Sequence, residues 1–572
     1  MVAQNARSLS GSQAKGTRGV ERDRRDIADL MQGVEHHRGQ GHSERKAAEV
    51  LGVPRSTLQY WQARKDNIDA DPQLVEFFES PIGLAFLHRL MIALHFVFTL
   101  VGPGSPRLIS LFLGLTGLQA FVASSHGSQH KVSKAMNREV AEFEQQQVPV
   151  LAAQMEPKKI TVCPDETFHP LPCLVAIEPV SNYILVEEYA AKRDAATWSS
   201  AMQRGLNGLQ VEVIQSTSDE GSGILAYVKG ELGAHHSPDL FHAQQDLTRA
   251  TAAPLAARIR REQETVAKAQ AETQALRAKK QQWDAESHGP GRPPGFDKRI
   301  SEAEARQKQA ELALETARER QEAARTVIRN IGQTYHPVDL AEGVLLSPAE
   351  VARRLYAHFD EIRRIAAAAG LSDRSKRLIA KARRRVQDMH ETLRFFGREA
   401  HQRVASLGLA EQEAHYALHH LVVAAYLQRA ASKAPDADTR QRLRHKADEL
   451  MEWIPESLSA TTVATLRQSS DISRAVDECA DLFQRSSSCV EGRNGRLSLH
   501  HHSLHRLNPD KLKALTVVHN FFIQRPDGTT AAERFFGTRP PDLFEWLINR
   551  LDIPARPARK RRRTGAKLPR AA

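Results

Sequence analysis

Apolar positions along the chain change period twice, and the changes divide it into three kinds of structure. From about residue 25 to 155 they recur every three or four residues, the helical spacing. From 158 to 240 they fall in short alternating or continuous runs, the strand spacing. Beyond about residue 250 the helical spacing returns for some 240 residues, in stretches rich in Ala, Glu, Gln, Lys and Arg. The middle part predicts strands over Lys159 to Cys163, Cys173 to Glu178 and Tyr183 to Tyr189, with Ser181-Asn182 as the hairpin turn between the last two. A helix over Ala195 to Leu206 follows, then a strand running from Leu209 towards Asp219, a helix after Gly223, and a further strand ending in Ser237-Pro-Asp-Leu-Phe-His242. Pro164 is expected to stop the first strand's pairing and leave Asp165 at its C-terminal end.

The helical parts carry their own punctuation. After a helix over Arg25 to Val34 comes Ser43-Glu-Arg-Lys-Ala-Ala-Glu-Val-Leu-Gly-Val-Pro-Arg-Ser-Thr-Leu-Gln-Tyr-Trp-Gln62. Ala48 is small where two helices cross, Gly52 permits a turn with positive φ, Val53, Leu58 and Trp61 supply an inward face, and Pro54 sits where a helix can begin. This is the pattern of a helix-turn-helix, whose second helix would turn Arg55, Ser56, Gln59 and Tyr60 towards DNA. A helical hairpin with no DNA role is the plain alternative. Pro81 to Val101 is strongly apolar, but His88, Arg89 and His95 interrupt it, so a buried helix is expected rather than a membrane span. Gly102-Pro-Gly-Ser-Pro106 breaks that helical region, and Ser124 to Val132 opens another helix. Pro254 to Gln282 and Lys298 to Gly332 predict two long helices. The intervening Ser287-His-Gly-Pro-Gly-Arg-Pro-Pro-Gly295 makes them an antiparallel hairpin with a basic tip. Ser347-Pro-Ala-Glu350 and Thr530-Ala-Ala-Glu533 read as capping boxes, with Phe535 and Phe536 as a core pair; further helices run from Ser375 to Gly397 and Leu409 to Ala431.

Composition narrows the class. The 572 residues exceed one domain, 41% of them are apolar, and the net charge is +12. Arg556, Arg559 to Arg563, Lys567 and Arg570 lie near the end with no acid among them, a basic tail suited to a polyanion. Within it Arg561 and Arg562 are candidate phosphate contacts, and the basic run Ser375 to Arg385 is either another or simply solvated surface. Residues 1 to 20 are polar and basic, without an apolar secretion signal, and are expected to be disordered. Cys163, Cys173, Cys479 and Cys489 match no zinc spacing and read as reduced core residues, consistent with a cytoplasmic, nucleoid-associated protein that has no membrane segment.

The candidate chemistry lies in acids. Asp165 follows one apolar strand and Asp219 follows another, so a sheet would deliver two carboxylates to one edge, which is what a hard cation such as Mg²⁺ requires. In Ser486-Ser-Ser-Cys-Val-Glu-Gly-Arg-Asn-Gly-Arg-Leu497, the residues Ser488, Glu491, Asn494 and Leu497 recur on one helical face. Glu491 is the best third ligand, with a capping box to Ser488 as its structural alternative and Glu478 as the substitute acid. Gly492 and Gly495 suit close approach of another backbone or a DNA strand, and Arg493 and Arg496 would project towards phosphate. His242 suits either a place behind the acids or the core. His500, His501 and His502 with His505 suit a polar or DNA-contacting surface, since consecutive histidines on a helix cannot share one ion.

These stretches together resemble a family. CPDETFHP, TSDEGSG, DLFHAQQDL, SSCVEGRNGRL and HNFFIQRPDGTTAAERFFG make the chain similar to bacterial insertion-sequence transposases of the DDE type over most of residues 40 to 550. It differs from better-known members in the 272 residues between second and third acids (491 − 219), and in lacking the tyrosine and arginine that precede the glutamate in one large group. The resemblance implies an α+β, predominantly helical chain with an N-terminal helix-turn-helix and an RNase H-like mixed sheet interrupted by a long all-α insertion containing a helical hairpin. The expected domains are 1–70 (disordered start and helix-turn-helix), 71–155 (helical DNA-binding or dimerisation module), 156–250 (first part of the catalytic domain), 251–480 (helical insertion), 481–550 (final part with the third acid) and 551–572 (basic tail). It further implies that Asp165, Asp219 and Glu491 hold two Mg²⁺ or Mn²⁺ ions for cleavage at transposon ends and 3′-OH strand transfer. The partners would be double-stranded DNA and a second or further copy of the chain. A metal-dependent nuclease without strand transfer and a catalytically inactive DNA-binding regulator are the rivals.

Overall fold

The structure, a computed structural model, describes residues 22–168, 171–289, 291–504 and 507–557. His169, Pro170, His505, the first 21 residues and the tail from residue 558, with Arg561 and Arg562, lie outside them. The chain divides into two compact units: the described parts of Met1–Val148, Leu499–Ile523 and Pro540–Ala572 form one, and Pro149–Ser498 with Gln524–Arg539 the other.

The first unit is helical. Helix α1 (Arg24–Gly39) is longer than its apolar pattern suggests and is capped by Asp23, which accepts from the Arg25 and Asp26 amides. Ser43 caps α2 (Glu44–Val50), and Gly52 at φ +63 turns the chain into α3 (Arg55–Asp66). Val34, Ala47, Ala48, Val53, Leu58 and Trp61 form the core of this trihelical part. Next come α4 (Pro72–Phe78), α5 (Pro81–Phe96) with a π turn over Val97–Val101, α6 (Pro106–Leu115) and α7 (His126–Gln154). Among the described residues, Pro81–Val101 is the one stretch long and apolar enough to cross a membrane by length and composition. Leu84, Leu87, Met91, Ile92, Phe96 and Leu100 on it are buried. His95 is buried too, bonded to Ser133 at 2.9 Å and Gln129 at 2.8 Å, and burial lowers its pKa to about 4, so it is neutral.

The second unit is built on a five-stranded sheet. Its strands are β1 (Lys158–Phe168), β2 (Pro172–Glu178), β3 (Tyr183–Tyr189), β4 (Val211–Ser218) after helix α8 (Ala195–Leu206), and β5 (His235–Pro238) after helix α9 (Ser222–Tyr227). The order is β3-β2-β1-β4-β5, antiparallel across β3-β2-β1 and parallel across β1-β4-β5. Pairing of β1 with β4 ends at Val162, but β1 continues past Pro164 against β2 as far as Phe168. Proline removes a donor, and that costs little on a side where no neighbour pairs. Asp165 therefore sits within β1, opposite Val175, and not at its end.

Helix α10 (Leu240–Ala285) begins one residue after Asp239 and passes through Pro254, which the sequence pattern makes the helix's first residue. His242 accordingly lies in the first turn of α10 and not beside a strand end. Helix α11 (Phe296–Thr334) returns antiparallel, as Arg277–Glu304, Lys280–Asp297 and Arg306–Glu272 ion pairs require. Ala303, Ala310, Ala317 and Ala324, seven residues apart, bury one seam of the hairpin. A short ladder of β6 (Val338–Asp339) with β7 (Val344–Leu345) leads to α12 (Pro348–Ala368) and α13 (Asp373–Ala405). Then follow α14 (Glu411–Tyr416), α15 (Val422–Ser432), α16 (Ala437–Glu452), α17 (Ala460–Gln468) and α18 (Ser470–Leu482). The bases of α10 and α11 and helices α12 to α18 share one large apolar core. The chain closes with α19 (Ser488–Leu504), α20 (Pro509–Phe521), α21 (Ala531–Phe536) and α22 (Leu543–Arg550). Thr530 caps α21 as expected, and Phe535 and Phe536 are buried. The protein is thus α+β and predominantly helical, with one mixed sheet.

Candidate active site

The parallel register of β1 and β4 places the two aspartates. The last pair is Val162 with Ser216, and three residues further along each strand direction stand Asp165 and Asp219. Asp219 Oδ1 accepts from the Gly221 amide at 2.9 Å across a tight turn, in which Glu220 takes φ +67. A non-glycine residue there is strained. Arg385 of α13 holds it: its Nε lies 3.1 Å from Glu220 Oε2 and its Nη1 2.9 Å from Asp246 Oδ2. Arg385 belongs to the basic run considered for phosphate contact, yet it is buried.

Helix α19 reaches the same place from the far end of the chain. Asp165, Val175 and Glu187 form one row across β1, β2 and β3, so their side chains share a face of the sheet. On that face Asn494 Nδ2 donates to Asp165 Oδ2 at 2.9 Å, and Arg493 Nε donates to Glu187 Oε1 at 2.7 Å. Cys163, two residues before Asp165 and therefore on its face, lies beside Cys489 in the first turn of α19, and that neighbouring thiol and burial raise its pKa. All four cysteines are free thiols. The segment entering the helix is anchored separately: Ser487 donates through both its amide and its hydroxyl to Asp239 Oδ2, the amide at 3.1 Å. Leu240 N also donates to Arg485 O at 2.9 Å, and Thr217 Oγ1 to Gln484 O at 3.3 Å. Asp239, fully buried, was not among the residues picked from sequence. Its trace there is the acid that opens the DLFH run. His242 Nε2 lies 4.0 Å from Asp239 Oδ2 and stands behind this anchor.

Glu491 is exposed in the first turn of α19. Because the helix starts at Ser488, the residue in the capping place is Ser487, whose hydroxyl is committed to Asp239. The capping-box alternative is therefore not formed. Burial, then the charges of Asp219 and Glu491, raise the Asp165 carboxyl to about 7 against the opposing amide of Glu166. The substitute acid Glu478 is instead paired with Arg403.

The arginines expected at phosphate divide. Arg493 is corrected: with Glu187 it forms a buried ion pair, the two side chains 3% and 0% exposed, which fixes α19 to β3. Arg496 is half-buried, its pKa lowered by burial and by Arg493. On α3 the structure agrees with the sequence in exposure. Arg55, Ser56, Gln59 and Tyr60 all face solvent, and Arg55 Nε lies 3.0 Å from Glu44. Gly492 and Gly495 are exposed, and a side chain at either would meet no described part of the chain. His500 is buried rather than surface, while His502 is exposed.

The donor set suits a hard cation in kind. Three carboxylates converge electrostatically, one of them held half-protonated near neutral pH, and the buried Asn494 Oδ1 beside Asp165 has no hydrogen-bond partner among the described residues. As they stand, no three His, Cys, Asp or Glu side chains among those residues close into a metal cage. The side chains of Asp219 and Glu491 are exposed.

A protein-family model described as a family of unknown function (DUF6399) matches residues 417–563, a span that includes Glu491. No curated protein and no solved structure matches the chain.

Proposed function

We propose that the chain is a DNA transposase that cuts at transposon ends and joins the freed 3′-OH to target DNA. The observation carrying this reading is the placement of Asp165 and Asp219 at equivalent positions of neighbouring parallel strands, with Glu491 brought to them by α19. The strand order β3-β2-β1-β4-β5 supports an RNase H-like domain, and the Gly52 turn between α2 and α3 with the exposed face of α3 supports a helix-turn-helix.

Asp165, Asp219 and Glu491 would hold two Mg²⁺ or Mn²⁺ ions. When bound, these ions supply Lewis-acid activation and charge neutralisation on the phosphodiester. The chain's own residues set up the rest. Asn494 and the Glu166 amide fix the two oxygens of Asp165, Gly221 fixes one oxygen of Asp219, and the Arg493–Glu187 pair fixes the helix bearing Glu491. In the reaction a water oxygen bonds to phosphorus as the P–O3′ bond breaks, leaving a 3′-OH and a 5′-phosphate. That hydroxyl then bonds to a target phosphorus and releases a target 3′-OH, so no covalent enzyme intermediate is needed. The exposed face of α3 and the tail would grip double-stranded DNA, and joining two ends calls for at least two copies of the chain.

The test is Mg²⁺-dependent nicking and strand transfer on labelled duplex bearing the element's own ends. Joined product should fall to background in Asp165→Ala, Asp219→Ala and Glu491→Ala, each still shifting the duplex in a gel. Nicking without joining would make the protein a nuclease, and DNA binding with no metal-dependent chemistry would make it a regulator. Activity surviving in Glu491→Ala alone would remove that residue from the triad.

A further inference from the structure

A cavity of about 1290 Å³ lies in the helical part of the second unit, and none of the three acids lines it. That exceeds the roughly 300–1,000 Å³ of an ordinary small-molecule pocket. Seven arginine or lysine side chains line it against four aspartates or glutamates. Every one of those acids is already committed. Asp339 pairs with Arg354, Asp481 with Arg429, and Glu449 with Lys446, while Asp436 caps α16 through the Thr439 amide.

Four cations remain: Arg329, Lys433, Arg442 and Arg485. Among the described residues none of them meets a carboxylate in an ion pair. Arg442 donates to Thr439 Oγ1 at 3.2 Å. Arg485 donates to the carbonyls of Gly332 and Tyr335 at the end of α11, which satisfies its hydrogen bonds but not its charge. Lys433 and Arg485 are close enough that both charges depress the buried His336, whose Nδ1 lies 2.6 Å from the Tyr426 hydroxyl. Burial comes first among the causes and keeps that histidine neutral. Two cations without an ion pair among the described residues, at one end of a cavity and beside a neutral imidazole, are an anion's environment. Phe241, 44% exposed, lines the same cavity and offers an aromatic face.

We propose that this cavity binds a phosphorylated ligand of nucleotide size or larger, its phosphate against Lys433 and Arg485 and its base stacked on Phe241. Phosphate supplies the acceptors that the two cations lack, and an exposed phenyl ring stacks on any base. The site stands whether or not the three acids catalyse DNA chemistry, since it shares no residue with them.

The test is equilibrium binding to the full chain with two probes, fluorescent trinitrophenyl-ATP and a fluorescein-labelled single-stranded DNA oligonucleotide. Lys433→Gln and Arg442→Gln, both at exposed positions and checked for fold by circular dichroism, should each weaken binding about 10-fold. Asp165→Asn should leave it unchanged. Variant-sensitive binding of ATP alone would mark a free-nucleotide site, and of the oligonucleotide alone a site for one nucleotide of a strand; both support the proposal. No binding of either probe at ~1 mM, or binding indifferent to both substitutions, overturns it. Loss of binding in Asp165→Asn alone would place the ligand at the acids and also overturn it. Strand-transfer assays report separately on the acids, so either reading can fail without the other.

Discussion

Two sets of arginines look alike in sequence and do opposite things in the molecule. On α3, Arg55 stands exposed with Ser56, Gln59 and Tyr60, its single ion pair to Glu44 lying in solvent. Around the carboxylates, Arg493 and Arg385 are buried and spend their charge on Glu187, Glu220 and Asp246. The first kind is available to a ligand; the second holds the acids' supports in place. An arginine's surroundings, rather than its neighbours in sequence, decide which it is, because a buried guanidinium must find a carboxylate while an exposed one has water.

The contrast sets the size of the expected effects. Arg493→Ala strands the buried Glu187 charge and should cost about 3–5 kcal/mol in urea unfolding of the second unit; a loss below about 0.5 kcal/mol would show that the pair is not the fastening described. Asp165→Asn should act in the other direction. The folded carboxyl titrates near 7 rather than 3.8, so the fold holds a proton that the unfolded chain has released between those values. Wild-type stability should therefore fall as pH rises from about 4 to about 7. Asp165→Asn should flatten that slope and, with allowance for partial exposure, be more stable at pH 8 by about 1–3 kcal/mol. Mg²⁺ should raise the wild-type melting temperature at pH 8 and not that of the variant. An unchanged pH slope in Asp165→Asn would exclude the shared electrostatic site. Arg55→Ala should be the mildest for stability, within about 0.5 kcal/mol, yet weaken duplex binding and lower its salt dependence by about one charge. Binding and salt slope equal to wild type would remove α3 from the DNA contact.

What could be read beforehand follows the same division between local and distant causes. The β1 and β4 strands, the Gly52 turn, the capping at Thr530 and the alanine-rich hairpin are written in runs of adjacent residues, where period and turn chemistry suffice. The extension of β1 beyond Pro164 was hidden because the proline's effect depends on which neighbour is absent. The continuity of α10 through Pro254 was hidden because packing at its base overrides a local breaker. Burial of Arg493 could not be foreseen, since its partner lies 306 residues away. Asp239 escaped notice for a similar reason: its hydroxyl partner, Ser487, is 248 residues on.

The separation of Asp219 from Glu491 also has a consequence in time. At a synthesis rate of roughly 5–20 residues per second, the 272 residues between them (491 − 219) take about 14–54 s to emerge. For that interval the nascent chain carries two carboxylates and no third. The segment Arg485 to Ser487, which seats α19 against Asp239 and the end of α11, leaves the ribosome only after the hairpin and its supporting helices. Completion of the acid set is thus tied to synthesis of the whole insertion, and a truncated product ending anywhere in the insertion lacks the last acid altogether.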